Sequence, residues 1–231
     1  MTGKQVSEII LGDKGLINSM QQGKTIILSS TISPLDAREV SEPLIKAGIK
    51  IIDTPVSGGK SGAENGSLTM MAAASKETFD EHQDVLKGVG EKVFHVGEEI
   101  GMGQTVKAAL QALIGSTFTA IFESLVLGAK AGVRGEVMHE VFGASGVGSP
   151  LLKNCSKLIM DRAFKGTGSQ IQTMYKDLGI SMDMAKQNGV AMFTTAAAYE
   201  LFQSGISLFP EEDNWSIVRL LEQIADTEVK W

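Results

Sequence analysis

The chain has a single cysteine, Cys155, among its 231 residues. That excludes an internal disulfide and a cysteine-based zinc finger, and it suits a reducing compartment, so the cytoplasm is the expected location. No run of about eighteen apolar residues occurs, and Met1-Thr2-Gly3-Lys4-Gln5 lacks the apolar core of a signal peptide; neither membrane insertion nor export is expected. A basic block is absent too. Lys and Arg number 21 against 27 Asp and Glu, giving a formal charge of -6, and they are scattered, which argues against a nucleic-acid partner and for a small-molecule one. His82, His95 and His139 stand far apart without metal-ligand spacing and read as structural or surface residues, so no metal is expected.

What remains is an ordinary globular composition, 43% apolar and 21% charged, in a chain long enough for two small domains. Thr25 to Ser30, Lys50 to Val56, Leu68 to Ala73 and Lys92 to Val96 are short β-branched or apolar runs that predict strands. Between the first two, Ser33-Pro34 predicts an N-cap followed by proline at the first helical position, with a stop at Gly48 and a kink or shortening at Pro43. Lys76 to Lys87 predicts another helix. Alternating strands and helices indicate an α/β layer. After Gly101-Met102-Gly103 strands vanish. Gln104 to Ala131 predicts a helix apolar around most of its circumference, the spine of a domain or dimer, and further helical patterns follow at Arg134 to Phe142, Pro150 to Asp161, Gln170 to Asn188, Thr194 to Ser204 and Asp213 to Ile224. The expected division is therefore an α/β domain over residues 1–99 and an all-α domain over 100–231. The large apolar surface of the long helix predicts a homo-oligomer.

Four places could carry chemistry. Asp53-Thr54-Pro55-Val56-Ser57-Gly58-Gly59, followed by Gly62-Ala63 and Gly66-Ser67-Leu68-Thr69, leaves an apolar strand and ends in Ser-Gly-Gly, where missing side chains let backbone N–H groups approach an anion. Lys107 stands in the second turn of the long helix with Gln111 on the same face. It reads either as a desolvated proton-transfer group or as a surface lysine whose stem snorkels. Lys176, in Tyr175-Lys176-Asp177-Leu178-Gly179, reads alone as a solvated charge, with Asp177 pointing to a different side. Thr31, just past the first strand, sits where parallel strands face a ligand, or simply caps a helix.

In this order the pieces resemble the β-hydroxyacid dehydrogenase family, from Gln5 through nearly the whole chain. Ser30-Thr31-Ile32-Ser33-Pro34 is similar to the family's cofactor-side turn, Asp53 to Gly59 to its substrate signature, Gly101-x-Gly103-x-x-x-Lys107 to its catalytic motif, and Lys176-Asp177-Leu178-Gly179 to its late cofactor-contacting motif. The resemblance implies a partial Rossmann-type domain followed by the all-α domain on its long central helix. It also implies NAD or NADP as cofactor and a small hydroxy acid or semialdehyde as substrate. Lys107 would be the general acid/base and Gln111 would orient the reacting oxygen; Ser57, Gly58 and Gly59 would hold the substrate carboxylate, and Thr31 and Lys176 would touch the dinucleotide.

The sequence departs from the family at three points. Gln111 stands where the family usually has Asn, preceded by Leu110 rather than a polar residue. Trp215 falls where relatives usually have a small side chain. The opening strand and Gly-x-Gly-x-x-Gly turn of the family have no counterpart here, so the chain is expected to be a truncated member, with a second reading as a catalytically inactive remnant that serves in binding or oligomerisation.

Overall fold

The computed structural model describes residues 1–231, which pack as two units: residues 1–110 with 183–189, and residues 111–182 with 190–231. The boundary expected near Glu99 lies between the last strand and the long helix, and the first unit runs on to Leu110.

The first unit opens with α1 (Gly3–Leu11), which the strand-centred reading of the sequence passes over. Its signal was local. Thr2 accepts from the Gln5 N–H while the Gln5 side chain accepts from the Thr2 N–H, a reciprocal cap that satisfies two otherwise orphaned donors. After it come β1 (Thr25–Leu28), α2 (Pro34–Lys46), β2 (Lys50–Asp53), β3 (Val56–Ser57), α3 (Gly59–Glu64), β4 (Thr69–Ala73), α4 (Lys76–Glu81), α5 (Gln83–Val89), β5 (Lys92–Gly97) and the first turns of α6 (Met102–Lys130). Ser33 caps α2 as expected, with Asp36 returning the bond. The helix ends at Lys46, just before the expected stop at Gly48, and Pro43 does not shorten it: the Ala47 N–H bonds the Pro43 carbonyl at 3.0 Å, so the backbone ladder resumes past the ring. The helix predicted over Lys76 to Lys87 is divided at His82, whose ring bonds the Thr78 carbonyl and whose backbone ends one segment and begins the next.

The sheet is mixed. β1 and β2 are parallel, as are β4 and β5, but β4 runs antiparallel to β2 and β3. Asp53 pairs with Ala73, Val56 with Met70 and Ser57 with Thr69 in one unbroken register, so β2 and β3 form a single strand interrupted at Thr54-Pro55. Successive side chains of β2 face opposite ways, as the pleat requires. Ile51 joins Val6, Ile10, Val40 and Leu44 on the α1/α2 side, while Ile52 joins Met70, Phe79 and Leu86 on the α4/α5 side. Burying such side chains contributes about 1.5–3 kcal/mol each.

α6 begins hard against this sheet. Gly101 holds φ +97°, a left-handed backbone, and a Cβ there would lie 2.8 Å from Arg38 and 2.9 Å from the Pro34 carbonyl. At Gly103 a Cβ would lie 2.5 Å from the Met71 carbonyl and 2.6 Å from that of Asp53. Both glycines of Gly101-x-Gly103 are thus required by close backbone approach.

In the second unit the body of α6 packs with α7 (Gly135–Ala144), α8 (Pro150–Met160), α9 (Ile171–Gln187, whose last residues belong to the first unit), α10 (Phe193–Leu208) and α11 (Val218–Ala225). The helix predicted over Asp213 to Ile224 is instead a 3₁₀ turn, Asn214–Ile217, leading into α11. Asp213 lies outside the helix because its carboxylate accepts from the Thr167 N–H at 2.9 Å. By length and composition α6 could cross a bilayer, but Phe118, Ile121, Phe122, Leu125 and Val126 bury their side chains in this unit's core. Trp215 belongs to the same core and donates Nε1–H to the Ala163 carbonyl at 2.6 Å, so its large ring is a packing element with a satisfied donor. Cys155 is fully buried there, and burial pushes its thiol well above the ordinary range.

Gly103→Ala tests the docking of α6. The added methyl has backbone atoms on two sides and nowhere to go, so a loss of about 1–3 kcal/mol in urea unfolding is expected, with α6 helicity retained in the folded fraction; an unchanged midpoint would contradict the close approach.

Candidate active site

In the first unit, the carboxyl end of β1 leads through Ser29 to Ile32 into the Ser33 cap of α2, and the end of β2 leads through Thr54-Pro55 to β3 and the glycines. Both ends of this parallel pair, where open α/β sheets take their ligands, are fixed by one buried cluster. Gln104 and Asp53 are each 0% exposed. The Gln104 amide donates to Asp53 Oδ1 at 2.7 Å and to the Ser30 carbonyl at 3.0 Å, and its oxygen accepts from the Ile32 N–H at 3.0 Å. Asp53 Oδ2 accepts from the N–H groups of Gly101 at 2.9 Å and Gln104 at 3.3 Å. Burial raises the Asp53 carboxyl above the usual aspartate range, while the Gln104 and Gly101 donors pull it down by favouring the ionised form.

This arrangement defines where the sequence-derived residues stand. Thr31 lies between the two Gln104-anchored residues and is half-buried; Ser33, not Thr31, caps the helix. Ser57 is half-buried, and Gly58 and Gly59 are exposed at the start of α3 with φ +132° and +61°. A Cβ at Gly59 would meet nothing within 4 Å, so open space lies beside this backbone. Lys107 is 6% exposed, one turn along α6 from Gln104; it is not a solvated surface lysine. Within the first unit the structure therefore places Thr31, the Ser57-Gly58-Gly59 backbone and Lys107 on elements held by Asp53 and Gln104.

The second unit holds the other two. Gln111 is buried and donates to Asp177 Oδ2 at 2.6 Å. Lys176 Nζ lies 2.8 Å from Asp177 Oδ1. The expectation that Lys176 and Asp177 diverge is thus overturned: adjacent residues on a helix leave it about 100° apart, but the long lysine stem bends back to its buried neighbour. Asp177 is 2% exposed and bridges Gln111 to Lys176, fixing the orientation of the Gln111 amide.

Sequence reasoning missed three residues of this machinery. Gln104 directly follows Gly103, Asp53 opens the glycine loop, and Asp177 follows Lys176, so all three stand within or beside the motifs without a motif role of their own. Asp53 in particular turns its carboxylate to the start of α6 and away from solvent.

These residues fit a nicotinamide dinucleotide: a turn at the carboxyl end of a parallel strand, tied through Gln104 to the helix that carries the buried Lys107. Residues 1–97 match the family described as the NAD binding domain of 6-phosphogluconate dehydrogenase, and residues 101–221 that described as NAD-binding of NADP-dependent 3-hydroxyisobutyrate dehydrogenase. The 2-(hydroxymethyl)glutarate dehydrogenase of Eubacterium barkeri is 33% identical over 226 residues, covering 97% of this chain and 74% of that protein. The L-threonate dehydrogenase of Haemophilus influenzae is 31% identical, covering 96% of this chain and 73% of its own length. In structure, a 3-hydroxyisobutyrate dehydrogenase from Salmonella typhimurium superposes with a TM-score of 0.87 at 29% identity, over 95% of this chain and 76% of that one. With both family matches falling on the two parts that carry these motifs, the chain belongs to the β-hydroxyacid dehydrogenase family of NAD- or NADP-dependent oxidoreductases.

Proposed function

We propose that the chain oxidises a small β-hydroxy acid, or reduces the matching semialdehyde, with Lys107 as the group that moves the proton. The observation that carries this is a lysine 6% exposed in the second turn of α6, in the unit that also holds the Ser57-Gly58-Gly59 backbone. When bound, the nicotinamide supplies the hydride acceptor. In its amine form Lys107 takes the hydroxyl proton as the carbinol C–H pair departs and the carbonyl forms; in the reverse direction it returns that proton to the oxygen. Ser57, Gly58 and Gly59 hold the substrate carboxylate through hydroxyl and backbone N–H donors. Gln111, oriented by Asp177, directs its second amide N–H to the reacting oxygen, and Thr31 and Lys176 contact the dinucleotide.

A homo-oligomer belongs to the same reading. Val106, Leu113, Ala120 and Leu127 recur every seven residues along the exposed side of α6, with Leu113 65% and Leu127 73% exposed. An apolar stripe of that spacing suits a second helix, and a second copy of this chain supplies one. The unpaired thiol of Cys155 suits a cytoplasmic setting.

Titration of the chain with NADH and NADPH, read by cofactor fluorescence, should saturate for at least one, and turnover should be found among 3-hydroxyisobutyrate, tartronate semialdehyde, L-threonate and 2-(hydroxymethyl)glutarate. Lys107→Ala should lower kcat by about 10²–10⁴-fold with circular dichroism unchanged. No saturable binding of either nucleotide, or full turnover by folded Lys107→Ala, would sink the reading. In sedimentation, the wild-type chain should run as an oligomer and Leu113→Glu/Leu127→Glu as a smaller species; a monomeric wild type would refute the interface.

A further inference from the structure

We propose that Gln104 is a positioning residue that locks the cofactor-side turn to the first turn of the catalytic helix, so that the two move as one piece. The inference rests on the reaction proposed above. One side-chain amide reaches three separate segments of the first unit: the turn after β1 through Ser30 and Ile32, the end of β2 through Asp53, and α6, which carries it. An amide is the side chain for this task. Its oxygen must accept from the Ile32 N–H while its nitrogen gives one proton to the Ser30 carbonyl and the other to Asp53, and only Asn or Gln presents an acceptor and two donors on one planar group. Asp53 completes the lock by receiving the backbone N–H groups of Gly101 and Gln104 at the head of α6.

The arrangement has consequences at both ends. Thr31 stands between the two residues that Gln104 grips, so the turn proposed to meet the nicotinamide has no freedom of its own. Lys107 follows Gln104 by three residues on a continuous helix, so its ammonium is carried by the same anchor. Because reacting atoms must be placed to within a fraction of an ångström, slack between turn and helix would be felt in the rate without any catalytic group being removed. The hydroxy acid is held by a different segment, Ser57 to Gly59, to which Gln104 makes no bond.

Gln104→Met keeps the length and most of the volume but none of the three bonds. It should raise the KM for the nicotinamide cofactor about tenfold and lower kcat about 10–100-fold, while the KM for the hydroxy acid stays within about twofold of wild type. Amide hydrogen exchange should quicken at Ile32 and Gly101 together, ahead of the rest of the unit. If Gln104→Met does not fold, Asp53→Asn leaves the bonds to Ser30 and Ile32 in place but weakens the anchor at α6, and should lower kcat with the cofactor KM retained. Folded Gln104→Met with wild-type kcat and cofactor KM, or with exchange at Ile32 and Gly101 unchanged, overturns the proposal, as does Asp53→Asn with unaltered kcat. Exchange is read without turnover, so an inert wild-type chain counts against the proposed reaction alone, and the exchange result still decides the role of Gln104.

Discussion

A buried carboxylate with no cation beside it must be met by hydrogen bonds, and the first unit is arranged around meeting that of Asp53. Its donors come from the head of α6 and from Gln104, so the helix can start only where those N–H groups reach Asp53 Oδ2. That position brings the α6 backbone against the carbonyls of Asp53 and Met71, which leaves room for no side chain at Gly103, and demands the left-handed turn at Gly101. The glycines, the acid and the amide are therefore one constraint expressed at four places in the chain. The energetic sense is that breaking any one bond leaves a charged or polar group stranded in the interior, at a cost larger than the bond's own net contribution.

The second unit solves a similar problem differently. Asp177 is buried with a cation at hand, Lys176, and with the Gln111 amide on its other oxygen. Here the pairing partner is itself a residue with a proposed role, so the neutralising contact also decides where Lys176 points and how Gln111 is turned. The length of the Gln111 side chain suits this geometry: it reaches Asp177 at 2.6 Å from the helix on which it stands.

Much of this fold was legible in sequence because it is written in local periods. The β-branched runs at Thr25 to Leu28 and Lys50 to Asp53, the Ser33-Pro34 start and the long apolar helix all follow from spacing and capping within a few residues. The direction of β4 was not legible, because whether a strand returns antiparallel depends on how its connection folds over the sheet. The Asp53–Gln104 contact joins residues 51 apart in sequence and that of Gln104 with Ile32 residues 72 apart, and nothing near any of them in the chain announces the partner. Lys107, Ser57 to Gly59, Thr31 and Lys176 are proposed from motif order, whereas the residues that hold their elements have no motif of their own. A side chain that touches substrate leaves a recognisable motif; one that touches only other parts of the chain looks like any glutamine or aspartate until the fold brings its partners near.

Cys155, closed within the helical core and reluctant to ionise, has a practical consequence. Alkylation and disulfide exchange require a thiolate that a reagent can reach, so the native chain is chemically silent toward thiol probes even though it contains a cysteine. A cysteine introduced on any exposed turn would carry the only accessible thiol in the protein, and a fluorophore or spin label attached there would report from that place without a background to subtract.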